Sequence, residues 1–331
     1  MSGAVGPGGA GAAGDVLVLR ALGLGDLLTG VAPLRGVRRR WPGHRVVLAA
    51  PAAIGEFLQR RGVVDAVLVT SGLRPLRGVQ GVLSGPGHVA VDLHGRGPES
   101  QELLLATRPA ELLGFASVAN PVGPDWWLDE HEVTRWCRLL EWTSPASSGV
   151  WCGPEDLRLR PRPEVLPDGP VVVHPGAAFA SRRWPVQRWA EVTRELVAGG
   201  HPVVLTGSAD EAHLTEELAA LAPGALDLGG RLDLEGLAEV VGRSRLVLSG
   251  DTGTAHLATA LGVASVVLFG PTPPHWWGPV LDADRHRVLW RGDPRATTYV
   301  GDPHGAALDP TLGRIAPAEV LAAGDELLGG R

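Results

Sequence analysis

The sequence predicts an α/β protein built from two parallel-sheet layers joined by a linker. Three observations predict it. Short β-branched runs, apolar throughout, alternate with helical patterns along most of the chain, and such strands belong to a parallel sheet covered on both faces. The alternation is interrupted once, over residues 144–170 (SPASSGVWCGPEDLRLRPRPEVLPDGP), by a stretch rich in Pro, Ser and Gly. The 331 residues fit two domains of roughly 100–200 residues each.

In the first half, strands are predicted over 15–20 (DVLVLR), 45–50, 65–70 and 88–94 (HVAVDLH), with helices over 26–40, 52–61 and 99–108. The first helix is expected to end before Trp41-Pro42. In the second half, strands fall at 171–174, 202–206, 245–249 and 264–269, and helices at 186–198, 210–221, 234–242, 252–261 and 316–328. The division is a tail over 1–14, an N-terminal domain over 15–150, a linker over 151–169, a C-terminal domain over 170–313 and a final helical segment over 314–331. Two α/β layers so joined imply a cleft, and ligands of open α/β sheets sit at the carboxyl ends of the strands.

Apolar residues at 44% and charged residues at 20% describe an ordinary globular chain. All 30 cationic residues are arginine and there are 11 Trp against one Tyr, a usage read as coding bias. The net charge of −6 argues against nucleic acid as the main partner. Cys137 and Cys152 lack metal-ligand spacing and imply no disulfide framework, which fits a reducing compartment. No run of about 18 apolar residues is present to span a membrane. The opening MSGAVGPGGAGAAG has no basic n-region and reads as a flexible tail rather than a secretory signal.

The first strand runs into Gly23-Leu24-Gly25-Asp26, half of a dinucleotide fingerprint. The third small residue of G-x-G-x-x-G is missing, no acid ends the second strand, and Asp26 would repel a pyrophosphate. Asp26 is either a helix N-cap or a general base at a strand end. In VVVHPGAAFASRRWPVQRWAEV (171–192), Arg182 and Arg183 precede a helix that starts near Pro185; they are either a solvated pair or a diphosphate site. In LVLSGDTGTAHLATALG (246–262), a buried strand turns through Asp251, Thr252, Gly253 and Thr254 into a helix with His256 in its first turn. The turn as a whole suits an anion, whereas Asp251 taken alone suits a helix cap. It is no Walker loop, because Gly-Lys-Ser/Thr is absent. Asp210 and Glu211 open the next helix and either hold ribose hydroxyls or complement the helix dipole. Arg35, Arg38, Arg39 and Arg40 are read as a solvated helix end in preference to a lipid-facing patch. Trp276-Trp277 either stack on a ligand or pack a loop.

Taken together, these residues resemble glycosyltransferase family 9, the ADP-heptose:lipopolysaccharide heptosyltransferase family. The matches are Arg20 with Gly25-Asp26, Asp92-Leu93-His94-Gly95, His174-Pro175-Gly176, Arg182-Arg183-Trp184-Pro185 with Trp189, Thr206-Gly207-Ser208, Asp251-Thr252-Gly253 through His256, and Phe269-Gly270-Pro271-Thr272. They run in family order over about residues 15–325. The resemblance implies a GT-B fold of two facing Rossmann-like domains with an interdomain cleft, the acceptor in the N-terminal domain and the nucleotide sugar in the C-terminal one. The final helix is implied to return to the N-terminal domain.

Carried over residue by residue, the resemblance implies Asp26 as general base. It implies donor contacts from Arg182, Arg183, Asp210 or Glu211, Asp251, Thr252, Gly253, Thr254 and His256, and acceptor contacts from Arg20, Gly25, Asp92 and His94. Arg182 stands where the family usually has Lys, Leu22-Gly23 where it commonly has hydroxyl side chains, and Asp309-Pro310-Thr311-Leu312 where it often has cysteines. The implied activity is inverting transfer of a heptose or related sugar from a nucleotide-diphosphate sugar to a glycan, glycolipid or small-molecule hydroxyl. No metal and no resident cofactor are implied, since the nucleotide sugar is a substrate. The expected setting is a cytoplasmic monomer, with contact at the inner face of the membrane left open. Two alternatives stand: a GT-B nucleotide-sugar epimerase or hydrolase that needs no acceptor, and a non-catalytic nucleotide-sugar binder that tolerates loss of Asp26.

Overall fold

A computed structural model describes residues 14–142, 152–160, 166 and 168–329. Residues 1–13 of the predicted tail and residues 151, 161–165 and 167 of the predicted linker lie outside that description. The contacts divide the chain into two units. One comprises Met1–Leu22, Pro33–Trp126 and Cys137–Trp151; the other comprises Gly23–Ala32, Trp127–Trp136 and Cys152–Arg331.

In the first unit the strands are β1 (Asp15–Leu19), β2 (Arg45–Ala50), β3 (Ala66–Val69), β4 (Val89–Asp92) and β5 (Glu111–Leu113), ordered β3-β2-β1-β4-β5. Every pairing is parallel, with Val18 opposite both Leu48 and Val91. Val16, Leu17, Val18 and Leu19 are wholly buried, which is why β1 shows no polar alternation. The chain order reverses direction between β1 and β4, which makes their carboxyl ends the switch point of this sheet.

The helices of this stretch are α1 (Leu24–Thr29), α2 (Val31–Arg40), α3 (Ala52–Arg60), α4 (Val79–Val82), α5 (Glu99–Leu105) and α6 (Glu132–Glu141). The single helix predicted over 26–40 is thus two. Pro33 has no N–H to give the Thr29 carbonyl, and its ring would collide there, so a continuous helix is excluded. The chain breaks at Gly30, and α1 belongs by contact to the second unit. The arginines of α2 are put to local use: Arg38 pairs with Asp65 at 3.0 Å, and Arg40 donates to the Leu140 and Trp142 carbonyls.

The second unit holds β6 (Val171–His174), β7 (Val203–Leu205), β8 (Leu226–Asp227), β9 (Leu246–Gly250), β10 (Ser265–Leu268) and β11 (His286–Leu289), all parallel, in the order β11-β10-β9-β6-β7-β8. Around them lie α7 (Val186–Ala198), α8 (Ala212–Leu221), α9 (Leu234–Arg243), α10 (Gly253–Leu261), α11 (Pro274–Trp277), α12 (Pro310–Gly313) and α13 (Pro317–Gly329). The switch point here lies between β6 and β9. Trp184 and Trp189 meet edge to face, 4.9 Å between centroids, in a core shared with Val173, Leu248 and Leu268. Val320 and Ala323 of the last helix are buried in this core, and the helix packs on α7 and on β9, β10 and β11.

The cysteine reading is corrected. Neither thiol is free, and both Cys137 and Cys152 are disulfide-bonded. Sequence spacing does not carry the side-chain placement on which a disulfide depends. Among the described residues no helix is long and apolar enough to cross a membrane.

Candidate functional site

Gly25, the second glycine of the turn that resembles a dinucleotide loop, and Gly253, of the turn after β9, serve a helix contact. A Cβ on Gly25 would stand 2.8 Å from Cδ2 of His256, and one on Gly253 would stand 2.8 Å from Cβ of Leu24. Both distances are shorter than side chains tolerate, so α1 and α10 approach this closely only because glycine occupies each side. Asp26, in the first turn of α1, is thereby carried to the amino end of α10 inside the second unit. It is not the N-cap, a position that Gly23 occupies.

The cap of α10 is Thr252, whose hydroxyl accepts the Thr254 N–H at 3.3 Å. Ala255 and His256 donate to the Thr252 carbonyl at 3.1 and 3.4 Å. The cap reading of Asp251 is therefore overturned. The Asp251 side chain sits instead in a charged cluster, 6% exposed, with its Oδ2 3.8 Å from Nη1 of Arg182. At that separation the two form an ion pair rather than a hydrogen bond. Burial pushes the Asp251 carboxyl up to about 6, with Arg182 pulling it down and Asp26 pushing it further up. Asp26, Asp251 and Arg182 thus share one electrostatic environment. The Nε of Arg182 is buried and has no hydrogen-bond partner among the described residues, a costly state for a guanidinium unless an acceptor arrives.

Arg182 is fixed by its backbone. The Arg182 carbonyl lies against Gly250, where a Cβ would stand 3.1 Å away. The N–H of Ser181, its neighbour, donates to the Gly305 carbonyl at 3.1 Å. Arg183 is spent differently: its Nε donates to the Ala177 carbonyl at 2.7 Å and braces the loop after β6. His256 lies edge-on to Trp277, 5.9 Å between centroids. Trp276 is 2% exposed and donates to Oδ1 of Asp129 at 2.8 Å, which makes it a packing residue, the second of the two sequence alternatives.

At the end of β7, Glu211 accepts the N–H and the hydroxyl of Ser208 at 2.9 and 2.8 Å, and stands 3.9 Å from Nε2 of His174. A Cβ on Gly176 would collide with its carboxylate. Burial pushes the Glu211 carboxyl up, but His174, Ser208 and Arg183 outweigh it and hold it below the usual range. Burial pushes the His174 imidazole down, with Glu211 and Thr206 opposing it, and its Nδ1 lies 3.0 Å from the Thr206 hydroxyl. Glu211 is thus engaged in a capping box, and Asp210 beside it is exposed.

In the first unit Arg20 and Asp92 are enclosed and held by internal hydrogen bonds. Both are 0% exposed. Arg20 donates to the Leu93 carbonyl; Asp92 accepts from the Ser100 hydroxyl at 2.7 Å and the His94 N–H at 3.0 Å. His94 Nδ1 accepts the Ala21 N–H at 3.1 Å. Burial pushes Asp92 up to about 6 and His94 down to about 4. These groups tie β1 to β4 at the switch point and leave only His94 partly accessible. Gly25, the fourth expected acceptor residue, is occupied by its contact with His256. Among the described residues no group of three or more His, Cys, Asp or Glu is placed to hold a metal ion.

Sequence reasoning missed the start of α6, where His131 Nε2 donates to the Gly278 carbonyl at 3.0 Å and the residue lines a small pocket with Thr29, His256 and Thr259. The signal was present: Val133, Trp136, Cys137 and Leu140 fall at i, i+3, i+4 and i+7 and are all buried.

The family model for glycosyltransferase family 9 (heptosyltransferase) matches residues 127–297, a span that includes Arg182 and Asp251 and leaves out Asp26. Lipopolysaccharide heptosyltransferase 1 of Pseudomonas aeruginosa is 38% identical over 155 residues, 45% of this chain and 42% of that protein. The chain spans less than half the length of the curated relatives it matches. Among solved structures, the glycosyl transferase family 9 protein of Veillonella parvula superposes with a TM-score of 0.78 at 18% identity, over 96% of this chain and 98% of that one. The E. coli ADP-heptose lps heptosyltransferase II does so at 0.74 and 19%, over 96% and 99%. These two likenesses establish the fold, two Rossmann-like domains with parallel sheets, of the GT-B class.

Proposed function

Because this chain belongs to glycosyltransferase family 9, we propose that it is an inverting, metal-independent glycosyltransferase that moves a heptose-class sugar from an ADP-linked donor to an acceptor hydroxyl. The acceptor is a glycan, a glycolipid or a small molecule. The observation that carries the reading is the cluster of Asp26, Asp251 and Arg182 at the α1–α10 contact. It joins a carboxylate that can take a proton to a half-buried guanidinium whose Nη1 faces Asp251 and whose buried Nε has no hydrogen-bond partner among the described residues. The heptose and ADP assignments draw support from what the similar proteins are called.

In the proposed reaction the donor diphosphate meets Arg182 and the Gly253 amide at the positive end of α10. Arginine suits that task through its planar, permanently charged fork. Both groups stabilise the negative charge that grows on the diphosphate as it leaves. Asp26 takes the proton of the acceptor hydroxyl while that oxygen forms its bond to the anomeric carbon. The bond from that carbon to the phosphate oxygen breaks, its electrons leave with ADP, and attack from the opposite side inverts the centre. No side chain forms a covalent intermediate.

A cytoplasmic setting is proposed from the donor class. The two oxidised cysteines do not favour that compartment.

Asp26→Asn keeps the shape and removes the base. Turnover should fall by about 10²–10⁴-fold, with ADP affinity and melting temperature close to wild type. An undiminished rate would remove Asp26 from the chemistry, and a protein that binds donor yet never transfers, with or without Asp26, would be a binder.

A further inference from the structure

The segment between β11 and α12 has no part in the site as read from sequence, yet it is laced to the residues that build it. Val300 N–H donates to the Pro271 carbonyl at 2.9 Å, and Asp309 N–H donates to the carbonyl of Ser181, the neighbour of Arg182, at 3.2 Å. His304 lies edge-on to Phe179, 4.6 Å between centroids, and Phe179 faces the Arg182 guanidinium at 5.6 Å.

This segment carries Tyr299, the one tyrosine of the chain. Its ring stands at 89° to Trp276 with centroids 5.0 Å apart. Trp276 is itself buried and tied to Asp129, so the ring has a rigid backing. The residue is 43% exposed, and its hydroxyl has no hydrogen-bond partner among the described residues. The charges that reach it are those of Glu132, Arg135, Asp251 and Arg182. Glu132 and Arg135 bond each other, and Arg135 also donates to the Trp127, Leu128 and Glu130 carbonyls. Asp251 and Arg182 are the charged pair of the site described above.

We infer that the Tyr299 hydroxyl is a further ligand of the donor diphosphate, donating a hydrogen bond to a phosphate oxygen that Arg182 also holds. The inference rests on the donor reading given under the proposed function. The chemistry is consistent from three sides. A phenol offers an anionic oxygen a strong donor. Burial pushes the Tyr299 phenol above its usual range, with Glu132 and Asp251 adding to the rise and Arg135 and Arg182 opposing it, so it stays protonated at neutral pH. The ring is already ordered against Trp276, so little side-chain freedom is lost on binding.

The test is calorimetric titration of the full-length wild type, Tyr299→Phe and Arg182→Ala with ADP, with adenosine as the phosphate-free control. Tyr299→Phe keeps the ring on Trp276 and deletes only the hydroxyl. It should weaken ADP about ten-fold, leave adenosine binding unchanged and leave the melting temperature of the free protein where it was. Wild-type ADP affinity in Tyr299→Phe would mean that the ring only packs, and would overturn the inference. So would an equal loss for adenosine, which would place the contact on the nucleoside. If Arg182→Ala weakens ADP while Tyr299→Phe does not, the donor reading stands and this inference alone falls. If wild type itself ignores ADP, both fall together.

Discussion

Asp251 governs the electrostatics of the site at the scale of single residues. With its carboxyl near 6, it is charged above that pH and neutral below it. The charged form repels an incoming diphosphate and engages Arg182 at 3.8 Å; the neutral form does neither. ADP affinity should therefore rise as pH falls from 7 to 5, and Asp251→Asn should remove the part of that rise that belongs to Asp251. Dissociation constants for ADP measured across this range in both proteins check it, and parallel curves would contradict it. Residue type and position along the chain pointed to Asp26, Arg182 and the turn from Asp251 to Thr254, which share one electrostatic environment in the second unit. They did not tell a strand-end side chain left partly exposed from one enclosed in the core. Arg20 and Asp92 look like Asp26 in the sequence, each a polar residue at the end of an apolar strand. Both are wholly enclosed, and only the folded neighbours Leu93 and Ser100 explain why.

At the scale of elements, the α1–α10 contact decides where Asp26 ends up. It depends on Gly25 and Gly253, each filling space that a methyl group would claim. Gly253→Ala places a methyl 2.8 Å from Cβ of Leu24, a position near the backbone that cannot swing aside. The substitution should cost about 1–3 kcal/mol of stability by overpacking, read as a lower urea midpoint with the slope unchanged. A wild-type midpoint would show the contact to be loose. The glycines were visible in the sequence but pointed to a phosphate loop, because both uses of glycine demand close approach and the sequence does not say of what. The break at Gly30 was legible in principle from Pro33, and α6 from the spacing of Val133, Trp136, Cys137 and Leu140. The short edge strands β5 and β8, with three and two residues, carry too few side chains for a period to show.

At the scale of the whole molecule, both sheets place their first strand at the interior and reverse direction beside it. Hydrophobic runs and turns sufficed to predict two parallel layers. Strand order did not follow from them, since nothing in a run of valines names its neighbour. In the second sheet the reversal lies between β6 and β9, and the loops after these two strands carry Arg182 and Asp251. We therefore propose that nucleotide binding belongs to the second unit and that Asp26 takes part in chemistry but not in donor affinity. Thermal unfolding with and without ADP separates these claims in one experiment. ADP at about 100 times its dissociation constant should stabilise wild type by about 2.7 kcal/mol, stabilise Asp26→Asn equally, and leave Arg182→Ala little changed at the same concentration. A wild type that millimolar ADP fails to stabilise, or an Arg182→Ala protein stabilised as fully as wild type, would contradict it.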